Sequence, residues 1–169
     1  MIYLFISVVI FILLILFWYF GKKPAIHKNI SQEDLKKYFE VLLYRGYDRG
    51  YMIIQVSMDK RFKRFLQVSK YIGDKNKLGL QFDYPLANWS KPYYEKFKSI
   101  LNKNRIKFEI EKTDQDKIPE FLVIDVEKDL DKAYKISKLA LQELYSLSPD
   151  DLIKLYFINV SEEDEKIGF

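Results

Sequence analysis

The chain has 169 residues, no cysteine and one histidine, His27. Without cysteine there are no disulfides, thiolate metal sites or cysteine nucleophiles, and one histidine in a polar linker leaves no base for a nucleophilic triad. The net charge of +4 is concentrated near the N-terminus: of 28 basic residues, Lys22, Lys23 and Lys28 stand there, leaving 25 against 24 acidic ones. The remainder is close to neutral, which argues against a general nucleic-acid binder.

Residues 2–20 carry no charge and no proline, and Ser7 is their one small polar residue. As a helix they would span about 28 Å, close to the hydrocarbon thickness of a bilayer. Trp18 and Tyr19 stand at the end of the stretch, where amphipathic rings favour the headgroup level. No basic residue precedes the apolar run, and "FWYFGKKPA" offers no small-x-small cleavage site, so a transmembrane anchor is expected in place of a cleaved signal. The lysines that follow put this end in the cytoplasm by the positive-inside rule. The expected location is a bacterial inner membrane, single-pass, N-terminus out and domain cytoplasmic; the alternative is a periplasmic domain. Residues 21–29 are read as a basic linker that holds the domain beside the lipid.

Ser31 begins a helix as N-cap, with Ile30 and Leu35 at staple positions. Leu35, Tyr38, Phe39, Leu42 and Leu43 form its apolar stripe, and Gly46 ends it. Three strands follow. Met52, Ile54, Val56 and Met58 share a face in the first. Leu66, Val68 and Ile72 do so in the second, interrupted by Lys70. Leu78, Leu80, Phe82 and Tyr84 do so in the third. Period two with one polar face predicts an antiparallel sheet with one solvated side. A helix capped by Ser90 comes next, with Pro92 in its first turn and Tyr93 or Tyr94, Phe97, Ile100 and Leu101 inward. A fourth strand alternates Ile106, Phe108 and Ile110. The fifth, "EFLVIDV", is apolar on both faces and suits a central position. Asp129 caps a last helix from Leu130 to about Tyr145. Residues 152–160 fit helix or strand equally, and residues 161–169 read as an acidic tail.

The expected fold class is therefore α+β: an N-terminal transmembrane helix, then one antiparallel five-stranded sheet with helices mainly on one face, in the order α-β-β-β-α-β-β-α. The domain is placed at residues 30–160. This element order, over residues 31–147, resembles the type III secretion chaperone-like fold, which includes the YbjN and TY-Chap families. The resemblance implies a protein-binding module, often a homodimer, without catalysis.

No Gly-rich phosphate cradle or calcium-loop spacing occurs, and no cofactor is expected. Carboxylate pairs such as Asp114/Asp116 and Asp150/Asp151 fall at loops and helix starts, where solvation or capping accounts for them. An enzyme would need Asp83, Asp125 and Glu109 gathered in a polar pocket. Two clusters point to binding instead. "FDYPLANWSKPYY" concentrates hot-spot residue types, with Trp89, Tyr93 and Tyr94 as candidate partner contacts. "DKRFKRFLQVSK" interleaves basic and aromatic residues. With the linker, it nominates Lys22, Lys23, Lys60, Arg61, Lys63 and Arg64 for contact with a membrane surface. The function expected is a membrane-anchored, non-enzymatic adaptor or chaperone-like module with an unidentified protein partner. The alternatives are immunity against a toxin, or lipid or RNA binding through the basic hairpin 60–70.

Overall fold

The computed structural model describes residues 26–58, 63–73, 77–115 and 117–161. Seven strands form one sheet: β1 (Ile26–Ile30), β2 (Gly46–Met58), β3 (Lys63–Ile72), β4 (Leu78–Leu86), β5 (Glu109–Gln115), β6 (Ile118–Glu127) and β7 (Ile153–Val160). Their spatial order is β1-β7-β2-β3-β4-β6-β5, and every neighbouring pair is antiparallel. Three helices, α1 (Leu35–Arg45), α2 (Lys91–Lys103) and α3 (Leu130–Lys138), lie on one face; α3 continues as a π-helical segment, Leu139–Leu144.

Side-chain alternation puts one phase of each strand under the helices. Met52, Ile54, Leu66, Val68, Leu80, Phe82, Leu122, Ile124, Ile153 and Leu155 are buried there. They meet Leu35, Phe39, Leu42 and Leu43 of α1, Phe97 and Leu101 of α2, and Ile136, Leu141 and Leu144 of α3 and its extension. Each large side chain buried in this layer contributes roughly 1.5–3 kcal/mol. Local signals act where their chemistry requires. The Ser31 hydroxyl accepts from the Glu33 N–H at 3.3 Å and so caps a 3-10 turn, Gln32–Asp34, that leads into α1, and the Asp129 carboxylate accepts from the Lys132 N–H at 2.8 Å at the start of α3. Gly46 closes α1 because a Cβ there would lie 2.5 Å from the Leu42 carbonyl oxygen. The polar interruption in β3 also has a local explanation: the buried Lys70 ammonium donates to the Gly46 carbonyl oxygen at 2.7 Å. Burial lowers the Lys70 pKa, with Asp48 pulling the other way.

The expectation of a five-stranded sheet is corrected to seven strands. The two additions pair with each other: Ile26–Ile30, of which residues 26–29 are expected in the linker, runs against Ile153–Phe157 of the segment that fits helix or strand equally. Neither carries its partner's position in its own sequence. The contact spans most of the described chain, and only the sheet assembled by β2, β3 and β4 provides the edge on which β7 lands. The transmembrane helix in the expected architecture is not found: no helix among the described residues is long and apolar enough to cross a membrane, and residues 2–20 lie outside the described residues. The fourth strand also shifts. β5 starts at Glu109, and Ile106 and Phe108 instead pack in the α2–β5 connection, partly buried against the core.

Candidate interaction surface

The face of the sheet opposite the helices carries the other phase of each strand. Register defines it without ambiguity. One row crosses from Tyr156 through Ile53, Gln67, Asp83 and Val123 to Glu109. A second runs Ile158, Tyr51, Ser69, Gln81 and Asp125. A third contains Lys154, Gln55 and Phe65, and, on the far strands, Pro85, Phe121 and Glu111. A solvated sheet face ordinarily alternates in polar residues. Here Tyr51, Ile53, Phe65, Phe121 and Tyr156 stand at those positions, each half-buried with no helix over it.

One corner of this face is capped by the β4–α2 loop. Trp89 stacks on Phe65 with ring centroids 5.1 Å apart and planes 29° apart, and the Lys63 ammonium lies 5.7 Å from the centre of the Trp89 ring. The loop is held by Ser90, which is fully buried. Its hydroxyl donates to the Pro85 carbonyl oxygen at 2.6 Å and accepts from the Ala87 N–H at 2.8 Å. Ser90 therefore braces the loop and makes no side-chain capping bond to α2. Beneath Phe65, the Tyr145 hydroxyl is 2.7 Å from the Phe65 carbonyl oxygen and 3.2 Å from the Tyr84 hydroxyl. Its one proton goes to the carbonyl, and Tyr84 donates to it. Burial raises both phenols, Tyr84 to about 12.

The centre of the face holds Asp83, 9% exposed. Ser69 Oγ and Gln81 Nε2 donate to its carboxylate, the latter at 2.7 Å. Burial raises its pKa above the usual carboxylate range, while hydrogen bonds from Ser69, Gln81 and Gln67 oppose the rise. At the far end, an open groove of ≈ 1150 Å³ lies between the α2–β5 connection, the start of α3 and the ends of β5 and β6. Asp125 is committed there as an acceptor: its Oδ1 takes bonds from the Tyr71 hydroxyl and the Glu127 N–H, both at 2.9 Å. Tyr71 is pushed up to about 12 by burial and by that donation. The groove mixes Glu109, Glu111 and Asp125 with Arg105, Lys107 and Lys132, and the Lys132 ammonium donates to the Asp125 carbonyl oxygen at 2.7 Å. Among the described residues no group of three or more His, Asp or Glu side chains is placed to hold a metal ion.

The predicted site residues divide accordingly. Trp89 is half-buried at the corner of the open face, and Lys63 accompanies it. Tyr93 lies edge-on against Tyr145 at 5.3 Å. Tyr94 lies in the core: it is 0% exposed, and its hydroxyl donates to Glu120 at 2.9 Å. Helix phase decides this, since Tyr94, Phe97 and Leu101 share the inner stripe of α2. Arg64 begins β3 beside Lys63, while Lys22, Lys23, Lys60 and Arg61 lie outside the described residues. Asp83, Asp125 and Glu109 share the open face, but on separate strands and with Asp83 and Asp125 each tied to its own donors. The aromatic rows had a signal in the sequence: Tyr51, Ile53, Phe65 and Phe121 are apolar where the alternation calls for polar residues. No family model, curated protein or solved structure matches the chain.

Proposed function

We propose that the protein is a non-enzymatic protein-binding module, held at a membrane surface by its apolar N-terminal stretch, which engages a partner through the helix-free face of its sheet. The observation that carries this reading is the set of half-buried aromatic and aliphatic side chains distributed over that face, with the Phe65–Trp89 stack at one corner. Aromatic anchors on a rigid sheet lose little conformational entropy when a partner covers them, which is why such residues dominate interface energetics. The central Asp83 and its amide and hydroxyl donors add a polar group set whose geometry is already fixed. The membrane part of the reading rests on the hydropathy of residues 2–20 and the lysines that follow.

A photo-crosslinking amino acid placed at Gln67, on the open face, and separately at Ser99, on α2, tests it in cells. The expected result is a discrete protein adduct at Gln67, none at Ser99, and loss of the adduct on Trp89→Ala. Equal adducts at both positions, or none at Gln67, would refute the assignment of the binding face.

A further inference from the structure

We infer that the helix layer is the surface that lies on the bilayer, through its lysines and tyrosines and against anionic phospholipid headgroups. The inference rests on the membrane-held reading above and adds which face meets the lipid. The three helices, the π-helical segment and the 3-10 turn Gln32–Asp34 that leads into α1 together carry ten Lys and Arg against six Asp and Glu. Three of those six acids are matched, in Lys36–Asp131 at 2.6 Å, Lys98–Glu95 at 3.2 Å and Lys103–Glu143 at 3.9 Å, and the layer keeps a surplus of four positive charges. The open sheet face has the opposite bias, with Asp83, Asp125, Glu109 and Glu111 against Lys63 and Lys154. An anionic surface attracts the first face and repels the second. Each basic residue near such a surface adds attraction that decays within a Debye length.

The apolar groups on the helices suit the same surface. Tyr44 is 65% exposed on α1. The Lys138 ammonium stands 5.6 Å from the Tyr134 ring centre, above a shallow apolar groove formed with Leu139. Tyrosine rings and lysine stems, apolar along their length and polar at the tip, match the headgroup boundary. The tether leaves little choice about distance. β1 begins at Ile26, so five residues separate the apolar stretch from the sheet and reach about 17 Å when fully extended. The sheet must then lie beside the lipid, and charge selects the side.

The chain contains no cysteine, so single cysteines can be labelled uniquely. Full-length Ser99→Cys and Gln55→Cys, each carrying an environment-sensitive fluorophore, are reconstituted into vesicles containing headgroup-spin-labelled lipid. One vesicle set is equal parts phosphatidylglycerol and phosphatidylcholine; the other is phosphatidylcholine alone. The expected result is strong quenching of the Ser99 label in anionic vesicles only, relieved by high salt, with little quenching of the Gln55 label in either set. Lys91→Gln combined with Lys135→Gln weakens the docked state about 25-fold, at about fivefold per lysine, and removes the contrast. Equal quenching at both sites, stronger quenching at Gln55, or a Ser99 signal indifferent to lipid charge overturns the inference while leaving membrane attachment intact. A full-length chain that does not float with either vesicle overturns both.

Discussion

The two faces of the sheet use the same strands for different purposes. Beneath the helices, Phe82, Leu80, Leu122 and Ile124 are buried completely or nearly so. On the other side, their immediate neighbours Gln81, Phe121 and Asp125 remain in contact with solvent, and Asp83 and Val123 are shielded mainly by surrounding side chains. Stability is thus concentrated on one face, which frees the other to carry aromatic groups and a perturbed carboxylate at modest cost. A module with this division can change its open face without losing its core.

The comparison can be broken most forcefully by cutting equivalent aromatics from each face. Phe97→Ala removes a ring that is 0% exposed and packed edge-on against Tyr84 at 5.2 Å. It should cost about 3–5 kcal/mol in urea unfolding. Phe121→Ala, on the open face, should cost no more than about 1 kcal/mol. Equal losses would mean that the open face is itself core.

Ser90→Ala comes next. It strands the buried Ala87 N–H and Pro85 carbonyl bonds that brace the Trp89 loop, and should cost about 1–3 kcal/mol. A loss near zero by thermal or urea denaturation would remove the bracing role.

A pH series on Asp83→Asn sharpens the electrostatic side. The folded-state pKa of Asp83 is raised by burial, so the folded chain binds a proton that the unfolded chain releases. Stability from this group therefore increases as pH falls from above the folded pKa to below the ordinary value of 3.8, and is lost as pH rises. Wild type should gain on the Asp83→Asn variant as the pH is lowered from 7 toward 4. A gap that stays constant, or moves the other way, would show that the three donors outweigh burial.

The smallest expected change in stability is that of Trp89→Ala, no more than about 1 kcal/mol because the ring lies on an outer corner. Its effect should fall on binding, as loss of the Gln67 cross-link. A large drop in melting temperature would place the stack within the core instead.

Much of the architecture is written locally and much is not. The alternation in β2, β3 and β4 and the apolar stripes of the three helices identify their own inner faces, because burial acts on each element's periodicity. Gly46, Ser31 and Asp129 mark helix ends by chemistry that needs only near neighbours. β1 and β7 could not be read this way. "IHKNI" has five residues, too few for a period, and each strand is defined by the other across the sheet. The open face was legible only in part. Trp89 stood out by residue type and position, whereas Tyr94 belongs to the core because two adjacent tyrosines at a helix start leave the inward one undecided until the helix is docked. The Asp83 cluster depends on two adjacent strands, β3 and β4, coming into register, which no single stretch of sequence states.

The β1–β7 pairing also determines how the protein bears tension. Ile26 lies opposite Phe157, and β7 continues to Val160, so the chain enters one strand and leaves its neighbour at the same end. Force applied at Ile26 across the strands would break these pairs one rung at a time, from Ile26 toward Ile30, whereas force along the strand axis would load them together. β1 is the outermost strand and pairs only with β7, so its release would leave the pairing of β2, β3, β4 and β6 intact.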